Sequence, residues 1–559
     1  MAQTDDEPPV ADAPASAPPR QLPQNTGDYI APQPVVMGRP MEAGVQVSSL
    51  GEVDGPAVGL LDDTNGGLGR EMWTGSDRGA IEDMLARIPA ATPSSGVRAL
   101  ARRLLLTTAD APSGNIHRSI LTIRLETLLN AGMVGEAGAL AAQAQIKNDP
   151  DFARLQADAL LYAGRADDAC GALTQTRLTS AEPYWIELRA YCYAQSGDGA
   201  ALDLTRSVMD SQGLDDKAFE TLLSDVIAEK ANDPGEIKDP TALDVFLMQK
   251  AGVPVNEAVA SQLGVAARLA ELHDAKNSIA DRVAAASKLV RTGAVSSSDL
   301  MLLADAQKFS TDDLANAAVK SQGMYFVAGE ALLAQAIKHE KDNGKRAQLV
   351  AAAFVLGEKK QVLALAAQMQ GDAAATLIPD ATMHDAAPLM ARALMLAGKP
   401  QAAAAWIALL DPGKDRMAAS VLTATLDMIA TDPARDAQAQ AALHWLSRQT
   451  GDPRAALVLG VTDALGAPMP PEAHDAAANA GNLAGRRPAP VQMQRLNAAL
   501  GDPQRRGEAV LIVLNVIGPS GPGDLAPDVT AALLRALVKL GLSDAARTIG
   551  IEALLTQAQ

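Results

Sequence analysis

"ALLYAGRADDACGAL" (residues 159–173) and, upstream of it, "TLLNAGMVGEAGAL" (127–140) share a leucine pair, a small residue, a glycine and then an alanine-rich run. An apolar segment that stops at glycine reads as a helix end, because glycine enters the left-handed conformation of a helix C-terminus without a Cβ penalty. Alanine, the strongest helix former, then starts a second helix. Each copy therefore predicts two helices joined by a tight corner. A third corner follows at Gly197: Gly132, Gly164 and Gly197 are separated by 32 and 33 residues (164 − 132 and 197 − 164).

Composition agrees with an all-helical chain. Of 559 residues 48% are hydrophobic but only 3% are aromatic, so the core must be made largely from alanine and leucine, which suit packed helices better than sheets. A net charge of −18 opposes long-range attraction to phosphate backbones or anionic lipid, so nucleic acid is not an expected partner. The longest strongly apolar run, "AVLIVLNVI" at 509–517, is half the length of roughly 18 or more residues that a transmembrane helix needs. Its β-branched residues would also suit a strand, but no partner strand is evident, and it is read as helix.

The corners resemble those of tetratricopeptide repeats, whose period is about 34 residues. That family packs two antiparallel helices closely and places small residues where they cross. Here Ala157 stands seven residues before Gly164 and Ala169 five after it; Ala190 and Tyr193 stand seven and four before Gly197. "MARALMLAGKPQAAAAWIALLDP" repeats the arrangement with Ala391, Gly398 and Ala403, with Pro412 after the second helix. Ala137 and Ala546 stand five after Gly132 and Gly541. Leu125 and Leu534 occupy positions where the family has a small residue, and Leu202 replaces the alanine after Gly197. Later glycines read as helix ends, Gly252 to Gly293 and Gly357 to Gly398, are 41 apart. The resemblance is to a divergent array and implies a right-handed superhelical α-solenoid of stacked antiparallel helix pairs.

Four regions are expected. Residues 1–55 carry nine prolines in the first forty positions, eight acidic residues and two arginines, and read as a disordered tail. Residues 56–465 form the solenoid, 466–490 a linker or long loop, and 491–559 a C-terminal helical cap over the last open face. Ser76 and Ser94 or Ser95 are expected N-caps, Pro527 a first-turn residue, and Ser543 the cap of the last helix. The glycines at 66, 67 and 69 invite a calcium or dinucleotide loop. Leu61 and Met72 fall where calcium ligands should be, and Met72 also displaces the last glycine of GxGxxG, so a turn is expected.

Catalytic signatures fail on inspection. His339-Glu340 lacks the second histidine of HExxH, since Asn343 stands there; no Gly-Lys pair is followed by the serine or threonine of a phosphate loop; and "GPSGPG" at 518–523 lacks the glycine of a nucleophile elbow. No catalytic residue, cofactor or metal site is expected. Cys170 and Cys192 match no zinc spacing and are read as small buried side chains, able to pair only outside a reducing compartment.

One cluster stands above background: Tyr162, Tyr184, Trp185, Tyr191 and Tyr193 lie within 32 positions in a chain poor in aromatics. Aromatic side chains supply much of the energy at protein interfaces, which makes these five the candidate partner-binding residues. The competing reading is a buried stripe, since Trp185, Leu188 and Cys192 follow helical spacing, with Tyr184 and Tyr191 left more exposed.

The expected function is a non-enzymatic protein-protein interaction scaffold or adaptor, whose solenoid surface binds a peptide or helix of a partner, with the acidic balance favouring a basic segment. The alternative is an accessory helical domain of a cell-envelope enzyme or assembly, peptidoglycan-lytic or related to motility or secretion. The polar, Pro-rich start suits a cytoplasmic protein beginning at Met1 and an exported one whose leader was removed, with a lean toward the periplasmic case. Oligomeric state is left open.

Overall fold

A repeating corner organises the chain. In the computed structural model, Gly132, Gly164 and Gly197 adopt φ of 69°, 70° and 74°, each between one helix and the next. Each corner closes with the same pair of backbone bonds. Gly164 N–H donates to the Leu161 carbonyl at 2.9 Å and Arg165 N–H to that of Leu160 at 2.8 Å, as Gly132 and Met133 donate to Leu129 and Leu128. Gly398 and Gly541 repeat the geometry at φ of 70° and 72°. The small residues around these corners, Ala137, Ala157, Ala169, Ala190, Ala391, Ala403 and Ala546, are all buried, as the close crossing of two helices demands.

The structure describes residues 57–115, 117–144, 149–175, 182–430, 435–449, 451–478 and 483–557. The predicted tail, 1–55, lies outside them. Among the described residues there are 29 α-helices, 69% of these residues are helical, and no strand occurs. The described residues form one compact unit.

Helices pack mostly on their sequence neighbours. Val134–Gln143 lies against Pro150–Tyr162, which lies against Ala166–Gln175; Pro183–Ser196 lies against Gly199–Gln212; Ala387–Leu396 lies between Leu363–Ala375 and Pro400–Ile407. Glycines let these backbones approach: a Cβ on Gly138 would stand 2.3 Å from the Ala163 Cβ, and one on Gly371 2.5 Å from that of Ala397.

The two ends of this unit meet. Ser95–Leu106 packs against Arg506–Ile517 and Ser543–Thr556, and Arg78–Leu85 packs against Arg506–Ile517. Gly507 N–H donates to the Met72 carbonyl at 2.9 Å, and Gly75 N–H to that of Gln504 at 3.1 Å. Trp73, 2% exposed, fills the space that a side chain on Gly507 would need. The helices read as a terminal cap thus lie against the beginning of the described chain. The last helix, Ser543–Thr556, also touches Ala387–Leu396 and Arg416–Ile429.

Several local expectations need correction. Asp77, not Ser76, caps the first helix by accepting from Ala80 N–H at 2.9 Å, because Ser76 is itself buried one position earlier. Ser94 caps Ser95–Leu106 as expected. Ser543 is the first helical residue of the last helix, behind Leu542, and provides no side-chain cap. Gly357 does not end a helix: it lies within Asn343–Lys359, where a Cβ would stand 2.6 Å from the Ala366 Cβ. The left-handed corner falls four residues later on Gln361, at φ 60°. "AVLIVLNVI" is helical, inside Arg506–Ile517 and buried on nearly every side. The stretch 466–490 contains the helix Pro471–Ala478, packed on Pro453–Ala464.

Candidate functional site

The aromatic cluster centres on the helix Pro183–Ser196, which is covered by Ala166–Gln175, Gly199–Gln212 and Lys217–Ala228. With these neighbours around it, the helix has little free face. Tyr184 and Tyr191, expected to be the more exposed pair, are each 4% exposed, and Trp185 is 2% exposed. Tyr162 and Tyr193 are half-buried. The rings of Tyr184 and Trp185 meet edge to face, as do those of Tyr191 and Phe246. Five residues that sequence spacing put forward as one patch are therefore largely internal.

Tyr184 nevertheless bonds to the wall of a cleft. Tyr184 Oη donates to Asp158 Oδ1 at 2.8 Å, and the Arg154 guanidinium lies 3.4 Å over the Tyr184 ring while its Nε stands 3.2 Å from Asp158. Burial pushes the Tyr184 phenol well above its ordinary range, with the Asp158 charge adding to the effect. Burial also raises Asp158 itself, although Arg154 opposes the shift. On the same helix, Glu187 is pushed up to about 7, first by burial and then by the Asp216 and Asp244 charges. Cys170 and Cys192 form a disulfide, their Cα atoms 5.7 Å apart, and pin this helix to Ala166–Gln175.

The cleft is a cavity of about 510 Å³ where Ile120–Asn130 and Pro150–Tyr162 begin. Arg118, Glu126, Asp149, Asp151, Arg154 and Asp158 line it. Arg118 pairs with Glu126 and Arg154 with Asp158, while Asp149 caps its helix through Phe152 N–H. Asp151 has no bonded cation among the described residues. Four carboxylates against two arginines leave the cleft acidic.

A second and larger cavity, about 600 Å³, opens where the two ends of the unit meet its middle. Its walls come from Thr92–Arg98, the turn Val290–Val295, the corner at Gln361, the loop 520–524 and the last turns of Ser543–Thr556. Glu552, 6% exposed, holds the seam shut. It accepts from Ser94 Oγ, from Ser95 Oγ at 2.6 Å and from Gly96 N–H at 3.0 Å, all at the N-terminus of Ser95–Leu106. Ser94 Oγ also accepts from Val97 N–H, so its hydroxyl is held between a helix cap and the Glu552 carboxylate. Arg392 donates to the Leu555 carbonyl at 2.9 Å and to Glu358 at 2.8 Å. Arg98 Nη1 reaches three carbonyls, of Ala90, Ala131 and Thr292.

Sequence reasoning found Ser94 as a cap and missed the rest of this cavity. Arg98, Gln361, Arg392 and Glu552 are too far apart in the chain for any spacing to link them. Among the described residues no three histidine, cysteine or acidic side chains converge as a metal site, and no helix is long and apolar enough to cross a membrane. No protein family, curated protein or solved structure matches the chain.

Proposed function

We propose that this chain is a non-enzymatic scaffold: a divergent, tetratricopeptide-like α-solenoid, right-handed and superhelical, that binds a segment of a protein partner. The observation that carries the reading is the repeated left-handed glycine corner, flanked by buried alanines and followed by a helix packed on its predecessor. Stacks of such units expose many side chains that the repeat core does not use, which is why they serve as binding surfaces.

The position of Ser543–Thr556 narrows where a partner docks. This helix touches Ser95–Leu106, Ala387–Leu396, Arg416–Ile429 and Pro453–Ala464, and so takes the place that a partner helix would occupy inside the array. The partner uses an outer site instead, and the acidic cleft bounded by Glu126, Asp149, Asp151 and Asp158 suits a basic segment. The buried aromatic cluster supports this cleft from behind through Tyr184 and Asp158, rather than touching the partner itself.

Affinity capture with the full chain, from cells that make it, tests the proposal. A protein should be recovered at low salt and lost in stages as salt rises, and Asp149→Asn/Asp151→Asn should weaken its capture; Asn keeps the helix cap, so folding is preserved. Recovery of no protein at any ionic strength, or capture indifferent to the double substitution, counts against it.

A further inference from the structure

We propose that the central cavity is a binding site for a carboxylate carried on an apolar body, with Arg98 as the cation that receives the carboxylate. Five charged side chains line the cavity: Arg98, Glu358, Arg392, Asp524 and Glu552. Glu358 and Arg392 neutralise each other at 2.8 Å, and Asp524 is gripped by Arg486 at 2.9 Å. Glu552 is satisfied by its three donors from Ser94, Ser95 and Gly96.

Arg98 is different: its bonded partners are all carbonyls, and among the described residues no acid is bonded to it. Glu136, the acid whose charge reaches it, is committed to Arg102 at 2.8 Å. A half-buried guanidinium without a bonded anion gains from acquiring one, since the desolvation cost is already met by the fold. The three carbonyls engage only Nη1, which leaves Nε and Nη2, the edge of the fork that grips a carboxylate with two parallel bonds.

The rest of the cavity describes the remainder of the ligand. Val290, Val295, Val362, Leu365 and Pro522 form apolar wall, and about 600 Å³ falls within the range typical of small-ligand sites. Gln361 adds a polar contact and a clue. At the corners of Gly132, Gly164, Gly197, Gly398 and Gly541 the left-handed residue is glycine, whereas here a side chain is held at φ 60° on the wall of the cavity. Such strain persists where the residue has a task, and an amide lining the same cavity as Arg98 can donate to the ligand. Because the wall is assembled from residues 92–98, 290–295, 358–368 and 520–556, a bound ligand also bridges segments that meet only on folding, and raises thermal stability. This inference does not rest on the scaffold reading.

Calorimetry and thermal melts on the full chain test it with decanoate and with the acid N-acetyl-Leu-Val-Ala, against decanol and the tripeptide amide. Binding of decanoate would assign a free small carboxylate, and binding of the tripeptide acid a chain terminus. In either case the acid should bind one to one, about tenfold or more tighter than its neutral analogue, and raise the melting temperature. Arg98→Met removes the cation but also uncaps three carbonyls and can fail to fold. Gln361→Gly is therefore the second variant: relief of strain should raise the melting temperature of the free protein while acid affinity falls by about tenfold. Ala364→Trp, which fills the cavity from its wall, should abolish binding. The proposal is overturned if neither acid binds up to about 1 mM, if acids and neutral analogues bind alike, or if Gln361→Gly and Ala364→Trp bind as the native chain does.

Discussion

Glu330 allows a quantitative test of how this core is built. It lies in Phe326–His339 with 0% exposure; Gln370 Nε2 donates to its Oε1 at 2.6 Å, and its Oε2 has no hydrogen-bond partner among the described residues. Burial raises its carboxyl from 4.5 to about 7, with only the Gln370 bond opposing the shift. The sign follows from linkage. Below pH 4.5 the group is protonated in both states and costs nothing. As pH rises from 4.5 toward 7 the unfolded chain releases the proton while the folded chain retains it, so stability falls; above 7 both states are ionised and the loss is complete. A difference of about 2.5 pH units (7 − 4.5), at about 1.4 kcal/mol per unit, amounts to about 3 kcal/mol. Glu330→Gln keeps the acceptor for Gln370 and cannot titrate. Urea unfolding of both proteins from pH 4 to pH 9 should show their stability difference shifting by about 3 kcal/mol in favour of the variant. Any constant cost of the amide cancels in this comparison, as does the titration of Glu187. A difference that stays flat to within about 0.5 kcal/mol would refute the assignment of a buried, unpaired carboxyl.

Three further outcomes are expected. Glu552→Ala should destabilise by about 2–4 kcal/mol, because the donors of Ser94, Ser95 and Gly96 lose their acceptor; Glu552→Gln should cost about half, and equal melting temperatures for all three proteins would show that the seam closes without this residue. Gly138→Ala should cost about 1–3 kcal/mol through its collision with Ala163, whereas Gly164→Ala, with open space around it but φ of 70°, should cost about 1 kcal/mol; asparagine should be better tolerated at 164 and worse at 138, as read by thermal melts. Reducing the Cys170–Cys192 bond, which closes a loop of sequence separation 22, should lower stability by about 3 kcal/mol, and Cys170→Ala/Cys192→Ala should show the same melting temperature with or without reductant; a native chain indifferent to reductant would contradict the role given to the bond.

What could be read from the residues alone is local. A glycine closing an apolar helical run reads as a helix end, so Gly132, Gly164 and Gly197 marked corners that the fold then supplied, and an Ala/Leu composition poor in aromatics announced an all-helical chain. Where two local signals competed, the sequence could not arbitrate. Gly357 looked like another corner, yet its missing side chain serves the approach of Ala366, and the turn passes to Gln361. The exposure expected of Tyr184 and Tyr191 went wrong for a related reason: helical spacing tells which residues share a face, but the helices packed around Pro183–Ser196 decide whether any face stays free. The closure of the unit and its central cavity belong entirely to the tertiary structure. Ser94 and Glu552 are 458 residues apart, and no periodicity of 3.6 or 33 residues carries information over that distance. Only the packing of distant helices on one another brings a helix N-terminus to that carboxylate, and with it places an arginine without a bonded acid, among the described residues, on the wall of the central cavity.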